Sequence, residues 1–310
     1  MTENKKILIT GATGFIGANL AHYFSMLGFD IHVFIRKGSD AWRIKSILRS
    51  IRVNLVDLTD VKAVKKAVFR IGPAYIFHTA SYGGSHYQNE TQRMIAVNFF
   101  GTINMITACK DVDYKLFVNT GSSSEYGIKS RPMKESDPVE PITDYGVTKV
   151  AATLFAVAVA KREKRPIVTL RLFSPYGYYE DSRRLVPSVI LAYLKNIAPK
   201  VSSPGCVRDF VFMEDVLRAY LLVTKNIRSV SAEVINIASG LQNTVGDITQ
   251  ITKRLFGSKI KPQWGCVENP RFEPKHWQAD ISKAEKLLGW VPEFTLEQGL
   301  NKTIKWYESI

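Results

Sequence analysis

The chain has 310 residues, 45% of them hydrophobic, and a formal net charge of +14. This length suffices for a large α/β core, and no apolar run reaches the roughly 20 residues that span a bilayer. Basic residues are spread along the chain without interleaved aromatics, which favours a multiply charged small anion over nucleic acid as the ligand. The cysteines, at positions 109, 206 and 266, suit neither a zinc site nor a disulfide framework. We therefore expect a cytoplasmic protein with reduced thiols, no metal and no membrane partner.

The first predicted element is a strand at 7–9 that runs into a glycine turn. Gly11, Gly14 and Gly17 follow at three-residue spacing, and a helix then begins. In such a turn the first glycine permits the tight bend, the second lets a phosphate approach and the third allows close helix–strand packing. The backbone N–H groups and dipole of the helix start attract a pyrophosphate. We therefore predict a dinucleotide site rather than an ordinary turn.

Strands and helices then alternate through the first two-thirds of the chain. The predicted strands are 31–35, 53–56, 75–78, 115–118 and 167–170. The predicted helices between them include 59–69, 91–110 and 144–161. This alternation predicts a parallel sheet with helices on both faces and ligands at the carboxyl ends of its strands.

After residue 173 the pattern loosens, because prolines break it into short elements. Two amphipathic helices still stand out, at 186–196 and 214–225. We predict an α/β fold: a Rossmann-type doubly wound parallel sheet over residues 1–173. A smaller C-terminal α/β lobe over 174–310 would bind substrate, with segments that return to the main sheet.

Tyr145 and Lys149 lie four residues apart at a predicted helix start and so share a face. An ammonium beside a phenol lowers the tyrosine pKa and makes it a usable proton donor and acceptor. A surface lysine beside a core-facing tyrosine would have the same spacing. The segment 118–127 favours the catalytic interpretation, because it follows a buried strand and brings Ser122 to the ligand edge. That hydroxyl could bond a substrate oxygen, although a plain polar turn is the alternative.

Together these motifs resemble the extended short-chain dehydrogenase/reductase family, in its branch of nucleotide-sugar epimerases, dehydratases and reductases. The resemblance implies that Tyr145 passes a proton to or from a sugar oxygen and that Lys149 holds the nicotinamide ribose. The family's catalytic serine or threonine lies four residues before a Tyr-Gly pair, which selects Ser122, with Ser123 as the fallback. Asn98 matches an asparagine of the family's central helix.

The resemblance also implies contacts with the cofactor and with a nucleotide-diphosphate sugar. The candidate cofactor residues are Gly11, Thr13, Gly14, Phe15, Ile16, Gly17, Arg36, Lys37, Ser39, Asp57, Leu58, Thr79, Ala80, Tyr145 and Lys149, of which Arg36, Lys37 and Ser39 come from a departure from the family pattern and not from the resemblance. The implied substrate residues are Ser123, Glu125, Ser174, Arg208 and Arg271. Arg208 would bind the diphosphate through its bidentate guanidinium, with a surface salt bridge to Asp209 as the alternative.

Three departures from the family pattern narrow the reaction. Ser123 and Ser124 stand where dehydratases need an acidic residue, and Glu125 falls one position late, which disfavours dehydration. The second strand ends in Arg-Lys-Gly-Ser at 36–39 instead of the aspartate that binds a ribose 2′-OH. We therefore expect NADP in preference to NAD, unless these basic residues are merely exposed. Ser174 stands where the family commonly has asparagine.

The first functional hypothesis is NADPH-dependent reduction of the C4 ketone of a CDP-linked deoxy sugar in surface-polysaccharide biosynthesis. Residues 207–221 and the modest chain length resemble the CDP-abequose and CDP-paratose synthases, which catalyse this type of reduction. An NAD-dependent 4-epimerase of a UDP-sugar and a catalytically silent dinucleotide-binding scaffold are the alternatives. Because family members commonly dimerise through two helices of each subunit, we expect a homodimer through helices 91–110 and 144–161.

Overall fold

The structure, a computed structural model, describes residues 5–85, 87–267 and 274–310. The strands are β1 (Lys6–Thr10), β2 (Asp30–Ile35), β3 (Arg52–Leu55), β4 (Tyr75–His78), β5 (Leu116–Ser122), β6 (Ile167–Leu172), β7 (Pro175–Tyr176), β8 (Val207–Arg208), β9 (Val211–Phe212), β10 (Val234–Ile237) and β11 (Asn243–Thr244). The α-helices are α1 (Phe15–Met26), α2 (Val61–Ile71), α3 (Thr91–Met94), α4 (Gly101–Ala108), α5 (Asp144–Glu163), α6 (Leu185–Leu194), α7 (Met213–Lys225), α8 (Ile227–Val230), α9 (Val245–Leu255), α10 (Ser282–Leu288) and α11 (Leu296–Glu308). Short 3-10 turns cover Trp42–Ile47, Cys109–Asp111 and Ser123–Glu125, and a π-helical turn covers Ile95–Phe100.

The main sheet contains seven strands in the order β10-β6-β5-β4-β1-β2-β3. The pairs β1/β2, β2/β3, β1/β4 and β4/β5 run parallel. The chain builds outward from β1 to β3 and then crosses back to β4, so the direction reverses between β1 and β4. The predicted Rossmann-type sheet is confirmed, and this reversal is where such sheets bind ligands.

Continuous apolar runs form the central strands because both faces of a parallel sheet are covered. Ile7, Leu8 and Ile9 of β1 are completely buried. On one face, Leu8, Ile76 and Phe117 belong to a single hydrophobic cluster. This core holds the carboxyl ends of β1, β4 and β5 side by side, since Thr10 is in register with His78 and His78 with Asn119.

Two element bounds differ from the prediction in ways that matter for the site. Strand β5 continues to Ser122, four residues beyond the predicted end at 118, so the candidate serine closes the strand itself. The predicted single helix 91–110 is divided into α3, the π-helical turn and α4, with a 3-10 turn at its end. A π-helical turn shifts the backbone ladder by one residue, and the Thr102 hydroxyl donates to the carbonyl of Asn98 there (2.6 Å).

The chain forms two compact units. The first comprises the described residues up to Gly127 together with Pro138–Arg171 and Tyr220–Ile235. The second comprises Ile128–Asp137, Leu172–Ala219 and the described residues from Asn236 to Ile310. The domain boundary predicted at residue 173 stays a prediction.

The second unit contains two small sheets, β11 with β8 and β7 with β9. Its core includes Tyr176, Phe212 and Leu300, which pack in one cluster. In neither unit do the described residues include a helix that is long and apolar enough to cross a membrane.

Candidate active site

The glycine turn after β1 is closed by its own backbone. The Gly14 N–H donates to the carbonyl of Gly11 (2.9 Å), and Gly11 has a φ of +70°. A Cβ on Gly17 would lie 2.7 Å from both the Gly11 carbonyl carbon and Oγ1 of Thr79. The turn therefore packs directly against the residues that follow β4, with no room for a side chain at Gly11 or Gly17.

The start of α1 suits a phosphate group. Its N-cap residue is Gly14, and no side chain among the described residues caps the helix there. The first-turn N–H groups face outward with the positive end of the helix dipole, the arrangement that binds a pyrophosphate. The predicted residues Thr13, Phe15 and Ile16 belong to this turn. The turn thus fits the pyrophosphate of a dinucleotide.

Basic residues follow β2 at the same edge of the first unit. Arg36 and Lys37 are exposed, and Ser39 is half-buried. The charge of Arg36 also acts on Asp57: burial raises the pKa of that carboxyl, but bonds from Thr59 and the charges of Arg36 and Arg93 bring it below its usual value. The two cations therefore stand at the carboxyl end of β2, beside the strand that leads into the glycine turn.

Sequence reasoning missed one residue at the glycine turn. Arg43, in the 3-10 turn after β2, donates from Nη1 to the carbonyl of Thr13 (3.2 Å) and lies over the ring of Trp42 (4.5 Å). An arginine thirty residues from the turn gives no sequence signal of its own.

Three further predicted cofactor residues lie in the first unit. Leu58 is buried against Gly101. Thr79 and Ala80 follow β4, and Oγ1 of Thr79 donates to the Thr10 carbonyl (2.7 Å).

Ser122 ends β5 and caps the 3-10 turn that follows it. Its Oγ accepts a hydrogen bond from the Ser124 N–H (3.2 Å). The Ser122 N–H donates in turn to Oε1 of Glu125 (2.8 Å). This reciprocal capping fixes the serine turn, residues 122–125. Ser123 and Glu125 are buried, and their predicted substrate contacts stay predictions.

Helix α5 begins against the serine turn. Thr143 caps it by accepting from the Gly146 N–H (3.0 Å). A Cβ on Gly146 would lie 2.6 Å from the carbonyl oxygen of Ser124. Tyr145 is half-buried, and its hydroxyl lies 4.0 Å from where a Cβ on Gly84 would stand. The tyrosine and the serine turn therefore occupy the same edge of the first unit.

Lys149 is buried one helical turn beyond Tyr145. Its ammonium donates to the carbonyl of Thr120, two residues before Ser122. Burial lowers the pKa of Lys149 to about 8, against the opposing attraction of the Glu125 charge. The cation is thus held between the helix and the strand that carries the serine.

Asn98 supports the same helix from the π-helical turn. Its Nδ2 donates to Oγ1 of Thr148 (2.9 Å), which donates to the carbonyl of Tyr145 (2.9 Å). Nearby, His78 bonds Oγ1 of Thr10 through Nδ1 (2.8 Å) and Oγ1 of Thr102 through Nε2 (3.0 Å). Burial lowers the His78 pKa to about 3, followed by a smaller effect of the Lys149 charge, so His78 is neutral at physiological pH.

The predicted substrate residue Arg208 belongs to the second unit. It ends β8, and its guanidinium lies over the ring of Trp277 (5.5 Å to the centroid). The neighbouring Asp209 carboxylate is buried and accepts from the N–H groups of Ser239, Gly240 and Ala279, at 2.7, 3.1 and 3.0 Å. Burial raises the Asp209 pKa to about 6. These bonds tie Asp209 to its own unit.

Two further residues were predicted to contact substrate. Ser174 is half-buried, and its carbonyl accepts from the Val211 N–H (3.4 Å). Arg271 lies outside the described residues. The structure thus brings the glycine turn, Ser122, Tyr145 and Lys149 to one edge of the first unit.

Comparison with known proteins agrees with this arrangement. Residues 7–238 match the model of the NAD dependent epimerase/dehydratase family. Over 311 residues the chain is 27% identical to a UDP-glucuronate 4-epimerase of Thermodesulfobacterium geofontis, covering 96% of this chain and 95% of that one. It is also 27% identical to a dTDP-glucose 4,6-dehydratase of Haemophilus influenzae, with 97% of each chain covered.

Solved structures show the same likeness. A UDP-glucuronic acid 4-epimerase of Bacillus cereus, solved with UDP-glucuronic acid and NAD, superposes with a TM-score of 0.87 at 25% identity, covering 98% of this chain and 99% of that one. A UDP-glucose 4-epimerase of Thermotoga maritima superposes with a TM-score of 0.90 at 23% identity, with coverage of 98% and 99%. The chain therefore belongs to the NAD-dependent epimerase/dehydratase family of the extended short-chain dehydrogenases/reductases, enzymes that act on nucleotide sugars.

Proposed function

We propose that this protein catalyses oxidation or reduction at C4 of a nucleoside-diphosphate sugar. The proposal rests on one observation: Lys149 of α5 is bonded to the carbonyl of Thr120, directly below the serine turn. This bond holds the Tyr145 end of the helix to the strand that carries Ser122. A proton donor and a hydroxyl are thereby presented at the edge where the glycine turn would hold a dinucleotide.

The roles of the side chains follow from their chemistry. When bound, the nicotinamide supplies or accepts a hydride at the sugar carbon. Tyr145 gives a proton to the O4 oxygen during reduction and removes it during oxidation. Ser122 donates a hydrogen bond to the same oxygen as its charge grows. The Lys149 cation favours the phenolate form of Tyr145 and can bond the ribose hydroxyls.

Two reactions use this chemistry. One is 4-epimerisation, the activity named for the relatives from T. geofontis and B. cereus, in which NAD is reduced and reoxidised within one turnover. The other is net reduction of a 4-keto deoxy sugar by NADPH, which the cations at Arg36 and Lys37 favour. Dehydration is disfavoured, because Ser123 and Ser124 supply no acidic group next to Ser122.

A single assay separates these reactions. Purified protein would be incubated with UDP-, dTDP-, GDP- and CDP-linked sugars and their 4-keto forms, with and without NADPH. An epimerase retains NAD through purification and forms the C4 epimer without added cofactor, whereas a reductase consumes NADPH in proportion to product. Absence of turnover with every sugar and either cofactor would leave the silent scaffold as the function.

The cofactor preference has its own test. Arg36→Asp would place a carboxylate where a 2′-phosphate is expected. If NADP is preferred, this variant raises the Kd for NADPH at least tenfold and leaves that for NADH nearly unchanged. An equal effect on both cofactors would contradict the NADP preference.

We also propose a homodimer formed through the helices at 91–110 and 144–161. Val147 and Leu154 lie seven residues apart on one face of α5, and their side chains are about half exposed (53% and 55%). Phe100 of the adjoining π-helical turn is exposed to the same degree (52%). Leu154→Glu should shift the sedimentation coefficient from dimer to monomer, and a monomeric wild type would contradict the proposal.

A further inference from the structure

Glu125 is a charged residue with no exposed surface. Its side chain is completely buried, and each carboxylate oxygen has an internal partner. Oε1 accepts from the Ser122 N–H (2.8 Å), and Oε2 accepts from Nε of Arg171 (2.8 Å). The carboxylate thus links the serine turn to strand β6.

Arg171 is nearly as deeply buried as its partner. Its side chain is 4% exposed, and its guanidinium lies over the buried ring of Tyr126 (4.5 Å to the centroid). The free energy needed to remove two charges from water commonly exceeds the free energy of their attraction. Apolar side chains of similar volume would therefore stabilise the fold equally well. Stability alone therefore gives no reason for an ion pair at this place.

The pair packs directly on the backbone that leads into the catalytic serine. A Cβ on Gly121 would lie 2.7 Å from Oε1 of Glu125 and 3.0 Å from Cγ of Arg171. The last peptide of β5 before Ser122 is thus in contact with both charged side chains. A shift of either one would move the Ser122 main chain.

We propose that Glu125 and Arg171 form a positioning pair that sets the orientation of the Ser122 hydroxyl; the assignment rests on the proposed role of Ser122. The carboxylate fixes the Ser122 N–H, and the Ser124 N–H fixes a lone pair of Oγ (3.2 Å). The hydroxyl hydrogen is then the group that can be donated to the substrate oxygen. Glu125 is completely buried and acts through Ser122.

Glu125 also acts on Lys149 through its charge. Burial lowers the Lys149 pKa, and the Glu125 carboxylate counteracts that effect. Tyr145 lies one turn away on the same helix, and His78 on β4, whose pKa the Lys149 charge also lowers, is neutral because of its burial. Loss of the Glu125 charge should therefore move the alkaline limb of the pH–rate profile to lower pH.

A double-mutant cycle tests the positioning role. The variants are Glu125→Gln, Ser122→Ala and their combination, assayed with whichever sugar nucleotide the wild type turns over. Glutamine can face Ser122 or Arg171 with its oxygen, but not both. Asp137→Asn is the matched control, because this buried carboxylate of the second unit also accepts from a turn N–H, that of Lys134 (2.8 Å), and from a guanidinium, that of Arg131 (2.7 Å).

The expected result is a loss of kcat without a matching change in KM. Ser122→Ala should lower kcat about 100-fold and Glu125→Gln about 10-fold, with KM changed less than about threefold. The combined variant should resemble Ser122→Ala alone, because one residue acts through the other. If the fold-loss of kcat in the combined variant equalled the product of the two single losses, the proposal would be overturned. A rise in KM alone would overturn it as well.

A double variant tests the proposal even if Glu125→Gln does not fold. The combined Glu125→Leu and Arg171→Met replacement leaves no unpaired charge in the core, so it should fold with a Tm close to that of the wild type. Its kcat should still be at least about 10-fold lower. Full activity in this variant would show that the pair positions nothing.

Hydrogen exchange separates this inference from the proposed function. In Glu125→Gln, amide exchange in a peptide covering 119–127 should accelerate, whereas 144–163 and the control variant should stay unchanged. If the wild type turns over no sugar, the proposed function fails, and faster exchange at 119–127 still supports the positioning contact. Unchanged exchange there would overturn it.

Discussion

The backbone of Gly146 lies so close to Ser124 that a single added carbon would touch the serine carbonyl. A Cβ built on this glycine would stand 2.6 Å from that oxygen and 2.9 Å from Cβ of Pro141. This contact joins the start of α5 to the serine turn. It fixes where Tyr145 stands relative to Ser122, although these residues are 23 positions apart in the chain.

Gly146→Ala should separate the two parts of the site. The methyl group would force the helix start away from the serine turn, at a cost of about 1–3 kcal/mol in unfolding free energy. Turnover should fall at least tenfold, since small displacements of a catalytic group are costly. Urea unfolding and kcat measure the two effects. Gly205→Ala, where an added Cβ meets open space, is the matched control and should change neither. Wild-type kcat in Gly146→Ala would refute the contact's importance.

Tyr145→Phe should remove the proton donor while leaving the fold intact. We expect kcat to fall by about 10²–10⁴-fold, because general acid–base catalysis contributes that much. Cofactor binding, followed by fluorescence titration, should remain within about twofold of the wild type. Turnover near the wild-type rate would exclude this tyrosine as the proton donor.

Gly11→Ala should abolish cofactor binding. Gly11 combines a φ of +70° with backbone atoms of Ala80 only 2.7 Å from a new Cβ. Gly28→Ala is the matched control, because Gly28 has a φ of +78° but open space around the Cβ position. The control should lose about 1–2 kcal/mol through backbone strain and still bind cofactor. Calorimetric titration with NAD and NADPH distinguishes the two; equal affinities would show that close packing at Gly11 is unimportant.

The buried Lys149 should give stability an unusual dependence on pH. Its pKa is about 8 in the folded chain and 10.5 ordinarily, so between these values the unfolded state binds more protons. The contribution of Lys149 to the unfolding free energy therefore rises as pH increases from about 8 to 10.5. Below pH 8 the buried ammonium is charged, and the whole free-energy penalty of burying that charge is present. The unfolding free energies of the wild type and of Lys149→Met should be measured in urea. The wild type should gain stability relative to the variant as the pH rises from about 8 to 10.5. A difference that is constant with pH would contradict the shifted pKa.

Arg208→Met tests the proposed diphosphate contact in the second unit. Loss of a guanidinium that bonds two phosphate oxygens should raise KM for the sugar nucleotide at least tenfold, with a smaller effect on kcat. Arg254→Met makes the same change of charge at an exposed ion pair with Glu297 and should leave KM unaltered. An unchanged KM in Arg208→Met would remove this arginine from the substrate site.

The glycine turn and the spacing of Tyr145 and Lys149 are local patterns, and both could be predicted from the chain alone. The length of β5 could not, because whether residues 119–122 continue a strand depends on neighbouring strands that supply hydrogen bonds. The broken helix between 91 and 108 was also missed. Its π-helical turn is accompanied by side-chain bonds from Asn98 and Thr102, which no periodicity reveals.

The amino-acid order by itself determined the fold class and the candidate cofactor turn, because alternating apolar periods and glycine spacing act over short distances. Only the tertiary structure decided the surroundings of Glu125. In the sequence this residue is a carboxylate near a serine, one position from where a catalytic acid would stand. Folding brings Arg171 from 46 positions away and buries both charges, so the two side chains pair where water is excluded.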